Sequence, residues 1–250
     1  RNFLSMIRRF KMATGLNILG LSVAFAAFII LMMQVTYDWG YDRFHVNTNR
    51  LFRLELTFDN GSSQAVLPRP LIDEFIASSS HIEYGALIKK WDNRRNLVVQ
   101  NNQGRNSYQE LYQQVYPTYP VVFSFDMLEG GLLALEIPDK VIIPESMAKK
   151  LFPKESAIGK SFIGDELKAE IGGVYRDFPE NSIVKNAVYQ KISDNDGAGI
   201  WKYNNYEAYI LVDHPENISD ILLNYKTNHR MNADFWDKKD LRLTHLPDIY

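Results

Sequence analysis

Cysteine is absent from this sequence of 250 residues. Disulfides, thiolate metal ligands and cysteine nucleophiles are therefore excluded, and the redox compartment stays open. A surplus of either charge is missing as well: 30 acidic residues stand against 28 basic ones, a net charge of −2. Phosphate contacts need an excess of Lys and Arg, so no nucleic acid is expected as a partner. The histidines are His45, His81, His214, His229 and His245, and no two share metal-ligand spacing on a helix, so no metal site is expected. No serine sits in a G-x-S-x-G turn. Gly159-Lys160-Ser161 has the ending of a phosphate loop, but that loop needs a glycine five positions earlier, where Lys154 stands. The pairs Asp73–Glu74 and Asp194–Asp196 read as solvated faces or loops. No cofactor and no catalytic residue is expected, and the chain reads as a protein that is not an enzyme.

What the chain has is apolar material, 46% hydrophobic and 13% aromatic, enough for a packed core. Much of it is concentrated near the start. No charged residue occurs among the 26 positions from Met12 to Tyr37. A hydrocarbon core of about 30 Å needs roughly 20 helical residues, and Leu16 to Val35 meets that length. A transmembrane helix is expected over 12–37, since only a helix satisfies its own backbone in lipid. A secretory signal has a shorter apolar core and a small-residue cleavage site, whereas this run ends in Met32, Met33 and Gln34. Gly20 and Ala24, and likewise Ser22 and Ala26, are small residues four apart, a spacing that lets another membrane helix approach.

The flanks set the orientation. Arg1, Arg8, Arg9 and Lys11 precede the run with no acidic neighbour, leaving 24 basic against 30 acidic residues in the other 235. Cytoplasmic flanks collect Lys and Arg, so the N-terminus is expected in the cytoplasm and the bulk of the chain across the membrane. Phe3, Leu4, Met6, Ile7 and Phe10 interleave with those cations, which predicts a short amphipathic helix on membrane lipid over 1–11. The opening Arg1 predicts a piece cut from a longer protein.

Residues 38–250 hold no second run of membrane length and read as an α+β domain. Phe52, Leu54 and Leu56 alternate with Arg53 and Glu55, as in a half-buried strand. Pro70 opens a helix in which Leu71, Ile72, Phe75 and Ile76 share a face, and a strand follows over Ile82 to Ile88. The order recurs near the end: a strand over Tyr206 to Val212, a helix through Ile218, Ile221, Leu222 and Tyr225, then Leu241 and Leu243 at strand spacing. Two βαβ-like halves thus flank a mostly β insertion over 91–200. In the insertion Leu97 to Gln100, Tyr108 to Tyr116 and Val121 to Phe125 are expected strands, and Met147, Ala148, Leu151 and Phe152 mark a helix that Pro153 stops.

Several stretches resemble a known family. Asn17-Ile18-Leu19-Gly20-Leu21, followed by Tyr41-Asp42-Arg43-Phe44-His45, resembles the start of MacB/FtsX-type ABC transporter permeases, in the manner of their Bacteroidetes-like branch. NRLFRLEL from Asn49, KVIIPESMAKKLFPKESAIGKSF from Lys140, IGGVYRDFPENS from Ile171 and LTHLPDIY from Leu243 resemble later blocks of that family, in the same order. Phe25 and Phe28 stand where smaller residues are usual, and IVKNAVYQ after Ser182 departs from the family pattern.

The resemblance implies a permease fragment in the bacterial inner membrane: one transmembrane helix and a periplasmic domain with a porter-like part (48–90 and 201–248) and a sabre-like insertion (91–200). It implies a cytoplasmic ABC ATPase subunit as partner, a second copy or related permease as the other half of a dimer, and a periplasmic adaptor or lipoprotein. The implied activity is mechanotransmission: ATP hydrolysis by the partner moves the domain outside the membrane, in export or efflux. The joint Tyr41, Asp42, Arg43, Phe44 and His45 would set the angle of helix and domain, with Asp42 and Arg43 expected to pair. The competing reading is a single-pass membrane sensor with an extracytoplasmic ligand-binding domain.

Overall fold

A computed structural model describes residues 11–91, 93–101, 104–229, 235–236 and 239–249. The amphipathic flank expected over 1–11 lies outside the described residues except for Lys11. The chain forms two compact units, residues 1–41 with 250, and residues 42–249.

The first unit is the helix α1 (Lys11–Trp39), none of whose residues is buried. Its 29 residues span about 43 Å at 1.5 Å each, more than the hydrocarbon thickness. It is the one helix among the described residues long and apolar enough to cross a membrane. Polar groups in its last turns serve themselves: Thr36 Oγ1 donates to the Met32 carbonyl at 2.8 Å, and Gln34 Nε2 to Asp38 Oδ1 at 2.8 Å.

The second unit runs, in chain order, β1 (Leu51–Phe58), β2 (Ser63–Gln64), β3 (Leu67–Pro68), α2 (Arg69–Ala77) and β4 (Ile82–Lys89). There follow β5 (Asn93–Asn101), β6 (Gly104–Val115), α3 (Tyr119–Val122), β7 (Met127–Gly130) and β8 (Lys140–Pro144). Next come α4 (Glu145–Leu151), β9 (Ser161–Ile163), β10 (Lys168–Tyr175) and β11 (Val188–Lys191), and last β12 (Asn204–Val212), α5 (Ile218–Asn228) and β13 (Lys239–His245).

Four strands lie in the order β4-β12-β1-β13, every neighbour antiparallel. Two β-α-β units, β1-α2-β4 and β12-α5-β13, interleave to make this order, the ferredoxin-like pattern. The middle strand β12 shows why Ala208 to Val212 reads as an unbroken apolar run. Tyr206, Ala208, Ile210 and Val212 enter one core with Leu71 and Phe75 of α2 and Ile221 and Tyr225 of α5. Tyr209 and Leu211 enter a second core with Tyr119, Phe123, Tyr175 and Tyr189. Alternate side chains leave opposite faces of a strand, so a strand covered on both faces has no polar side to show.

The insertion between the two units closes on itself. β5 pairs β6, β6 pairs β11, β11 pairs β8, β8 pairs β10, β10 pairs β9, and β9 returns to β5 through Val99 and Phe162. These six strands form a small barrel. Val141, Ile143, Phe162 and Ile171 share its core with Met147 and Leu151 of α4. Between them Ile142 turns the other way, into the second core. The barrel joins the four-stranded sheet where Val115 of β6 pairs Ile88 of β4.

One expected strand is corrected. Val121 to Phe125 is not extended; Tyr119–Val122 makes a helical turn, the Phe123 amide reaches the Tyr119 carbonyl at 3.1 Å, and Ser124 takes φ +51. Val122, Phe123 and Phe125 are all buried, so the run carries no polar spacing to separate helix from strand. Pro120 in the first turn favours the helical start.

Candidate functional site: the helix–domain joint

Only Gly40 and Tyr41 separate Trp39, the end of α1, from Asp42, the first residue of the domain. Asp42 has a left-handed backbone, φ +53, which Asp tolerates better than most residues because its short side chain can bond locally. Its side chain is fully buried. Oδ1 accepts the Ile183 amide at 2.8 Å and the Ser182 hydroxyl at 3.0 Å, and His45 Nε2 lies 3.2 Å away. The Asp42 amide donates to the Asn181 carbonyl at 3.1 Å. Oδ2 is buried with no hydrogen-bond partner.

His45 is buried beside it, with Nδ1 3.3 Å from the Phe123 carbonyl. Its ring sits 4.4 Å from that of Phe44, 5.4 Å from Phe123 and 5.7 Å from Phe178. The expected Asp42–Arg43 pair does not form. The Asp42 carboxylate is taken up inside the domain by Ser182, Ile183 and His45, while Arg43 is exposed. Arg43 instead lines a polar cleft of about 480 Å³ with Asn49, His245 and Asp248.

The segment receiving Asp42 is itself fixed. It joins β10 to β11 and is closed at its base by two reciprocal pairs. Tyr175 Oη donates to the Ala187 carbonyl at 2.8 Å and accepts its amide at 2.9 Å. Asn186 accepts the Phe178 amide at 2.8 Å and donates to the Phe178 carbonyl at 2.9 Å. Asp177 from the same segment accepts the Ser146 amide at 3.0 Å, supplying an acceptor at the start of α4.

A second fastening begins at Arg50. Its Nη1 donates to the Val212 carbonyl at 3.0 Å and to Glu83 at 2.9 Å, and its Nη2 to Asn47 Oδ1 at 3.3 Å. The return from the insertion is held by Arg69. Nη1 donates to the carbonyls of Ser193 and Asp196 at 2.8 Å each, and Nε to the Tyr116 hydroxyl at 2.9 Å. Burial, together with its hydrogen bond to Asp73, pushes the Tyr116 phenol well above its usual range.

Sequence reasoning singled out Asp42 and His45 but not Asn181, Ser182, Ile183 and Phe123, which receive them. A signal was present: Ser182 closes the stretch from Ile171 that carries part of the family resemblance, and that stretch meets the Tyr41–His45 stretch here. On α1, Gly20, Ser22, Ala24 and Ala26 are all exposed. At about 100° per residue the Gly20–Ala24 and Ser22–Ala26 pairs lie about 200° apart, on opposite sides. Among the described residues no group of three His, Asp or Glu is placed to hold a metal ion.

The family model for the MacB-like periplasmic core domain matches residues 14–222. This chain belongs to that family. The match takes in most of α1, the joint, the barrel and the first half of α5. Among solved structures, the chain is similar to a domain of a putative permease protein from Porphyromonas gingivalis, with a TM-score of 0.66 and 18% identity. That likeness covers 81% of this chain and 92% of the other. It is also similar to the periplasmic region of MacB from Actinobacillus actinomycetemcomitans, with a TM-score of 0.54 and 14% identity over 82% of this chain and 94% of the other. No match was found among curated proteins. As a MacB-like permease domain the chain is a transporter component, and ATP hydrolysis in such a transporter belongs to a partner.

Proposed function

We propose that this chain is the first membrane anchor and the external domain of a MacB/FtsX-type permease subunit that turns ATP hydrolysis by a cytoplasmic ABC ATPase into movement outside the bacterial inner membrane. The carrying observation is that one family match spans both the apolar helix and the folded domain, from residue 14 to 222. In this reading the basic residues before α1 hold the N-terminus in the cytoplasm. The β-α-β halves over 48–90 and 201–248 are the porter-like part, and the barrel within 91–200 is the sabre-like part. Two permease helices approach at Gly20 and Ala24 or at Ser22 and Ala26, and the domains tilt as bodies between two states. The moving domain acts on a periplasmic adaptor or a lipoprotein.

Co-purification of the full-length permease with its ATPase tests this, with hydrolysis measured before and after removal of residues 42–249. The expected result is a stable complex whose ATPase rate changes several-fold, on the order of 1 kcal/mol in barrier, when the domain is removed. No complex, or an unchanged rate, would overturn the proposal. A reporter fused after Tyr250 is expected to be active only outside the cytoplasm.

A further inference from the structure

We propose that Asp42 is the positioning residue that ties the domain's entry stretch, residues 42–50, to the barrel insertion, while Arg50 ties the same stretch separately to the four-stranded sheet. The inference rests on the lever reading above and names the path the movement takes. Two observations carry it. The attachment is directed, since both the backbone and the carboxylate of Asp42 engage Asn181, Ser182 and Ile183, between β10 and β11 of the barrel. The receiving segment is closed at its base by the Tyr175–Ala187 and Phe178–Asn186 pairs, so it moves with the barrel strands.

The chemistry of Asp42 is poor for stability and good for placement. A buried carboxylate with one oxygen left unpartnered is costly, and a left-handed backbone adds strain. Such a group persists where its surroundings over-determine it. Arg50, eight residues later, reaches the Val212 carbonyl and Glu83, both on the sheet side. Residues 42–50 therefore splice two bodies, each held by its own side chain.

The test uses the 250-residue chain in nanodiscs, where the natural lack of cysteine allows paired spin labels at chosen sites. One pair joins Val46, which is 85% exposed, to Asp165 on the barrel. The other joins Val46 to Asp220 on α5. Glycine accepts a left-handed backbone freely, so Asp42→Gly removes the carboxylate without adding strain. Expected for Asp42→Gly is a Val46–Asp165 distance distribution about twice as broad as in the parent, with Val46–Asp220 unchanged. Arg50→Ala is expected to do the reverse. Asp42→Asn keeps an acceptor at the Oδ1 position and should restore much of the narrowness.

A Val46–Asp165 distribution as narrow in Asp42→Gly as in the parent would overturn the proposal. So would equal broadening of both distances, the mark of general loosening. If Asp42→Gly does not fold, Ser182→Ala carries the test, with a smaller broadening of Val46–Asp165 alone expected and none overturning. All distances are read without nucleotide. A permease whose ATPase moves nothing sinks the lever reading and leaves this one standing; unchanged distances do the opposite.

Discussion

Glu55 and Asp42 are both buried carboxylates, and they are satisfied in opposite ways. Glu55 takes Arg53 Nε at 3.0 Å and Nη2 at 2.6 Å on one oxygen and Arg242 on the other. Burial pushes the Glu55 carboxyl up, but the hydrogen bonds from Arg242 and Arg53 outweigh it and hold the group below its usual range. The folded value therefore lies below the unfolded one. The contribution is complete above about pH 4.3, the unfolded value, and is lost as pH falls through the folded value. Glu55→Gln is expected to lose about 1–3 kcal/mol at pH 7 and to flatten the fall in stability below about pH 5, as read by denaturant unfolding across pH. The phenols shift the other way. Burial holds Tyr119 and Tyr175 well above the usual tyrosine range. The unfolded chain ionises near pH 10 while the folded one does not, so stability should fall as pH rises past about 10. Ultraviolet titration of Tyr119→Phe should show one fewer late-ionising phenol, with a smaller alkaline loss of melting temperature.

Among the elements, those with one polar face were the legible ones. In β1 the polar Arg53 and Glu55 stand between Leu54 and its apolar neighbours, and the alternation survives because Arg53, Glu55 and Arg242 satisfy one another on that face. Helices α2 and α5 each cover the sheet on one side and show helical spacing. The turn at Tyr119–Val122 was not legible, since Tyr119, Pro120 and Val122 are all buried and its periodicity is silent. Barrel closure was not legible either. It depends on Val188 meeting Tyr112 and on Phe162 meeting Val99, contacts far apart in sequence that no local pattern encodes. At the joint, the residues that protrude toward their partners were legible, but the loop that receives them was not. One glycine carries a strict demand: Gly130 in β7 has φ +68, and a Cβ there would stand 2.1 Å from the Gly172 carbonyl oxygen. Gly130→Ala is expected to destabilise the domain by about 1–3 kcal/mol or more, measured by chemical denaturation of the domain in solution.

At the scale of the molecule, the three cores lie in one continuous unit from Asp42 to Ile249, and α1 contributes no buried residue to any of them. The domain is therefore expected to stand alone. Residues 42–249 expressed without the helix should stay soluble without detergent and melt in one cooperative step by circular dichroism, and aggregation or a broad, uncooperative transition would count against it. The full 250 residues should need detergent, because the exposed side chains of α1 from Leu16 to Val35 form an apolar surface far larger than soluble monomers carry. The sequence announced this division through its one uncharged run, and the mostly β insertion through its composition, whereas the closure of that insertion into a barrel emerged only from the pairing of distant strands.

The closed ring of six strands bears on what a protease can do to the domain. Every strand in the ring has a hydrogen-bonded neighbour on both sides, so a single cut in any connecting loop leaves no piece held along only one flank. A clipped molecule should therefore keep its shape and run as one particle until denaturant is added, and only then fall into two chains.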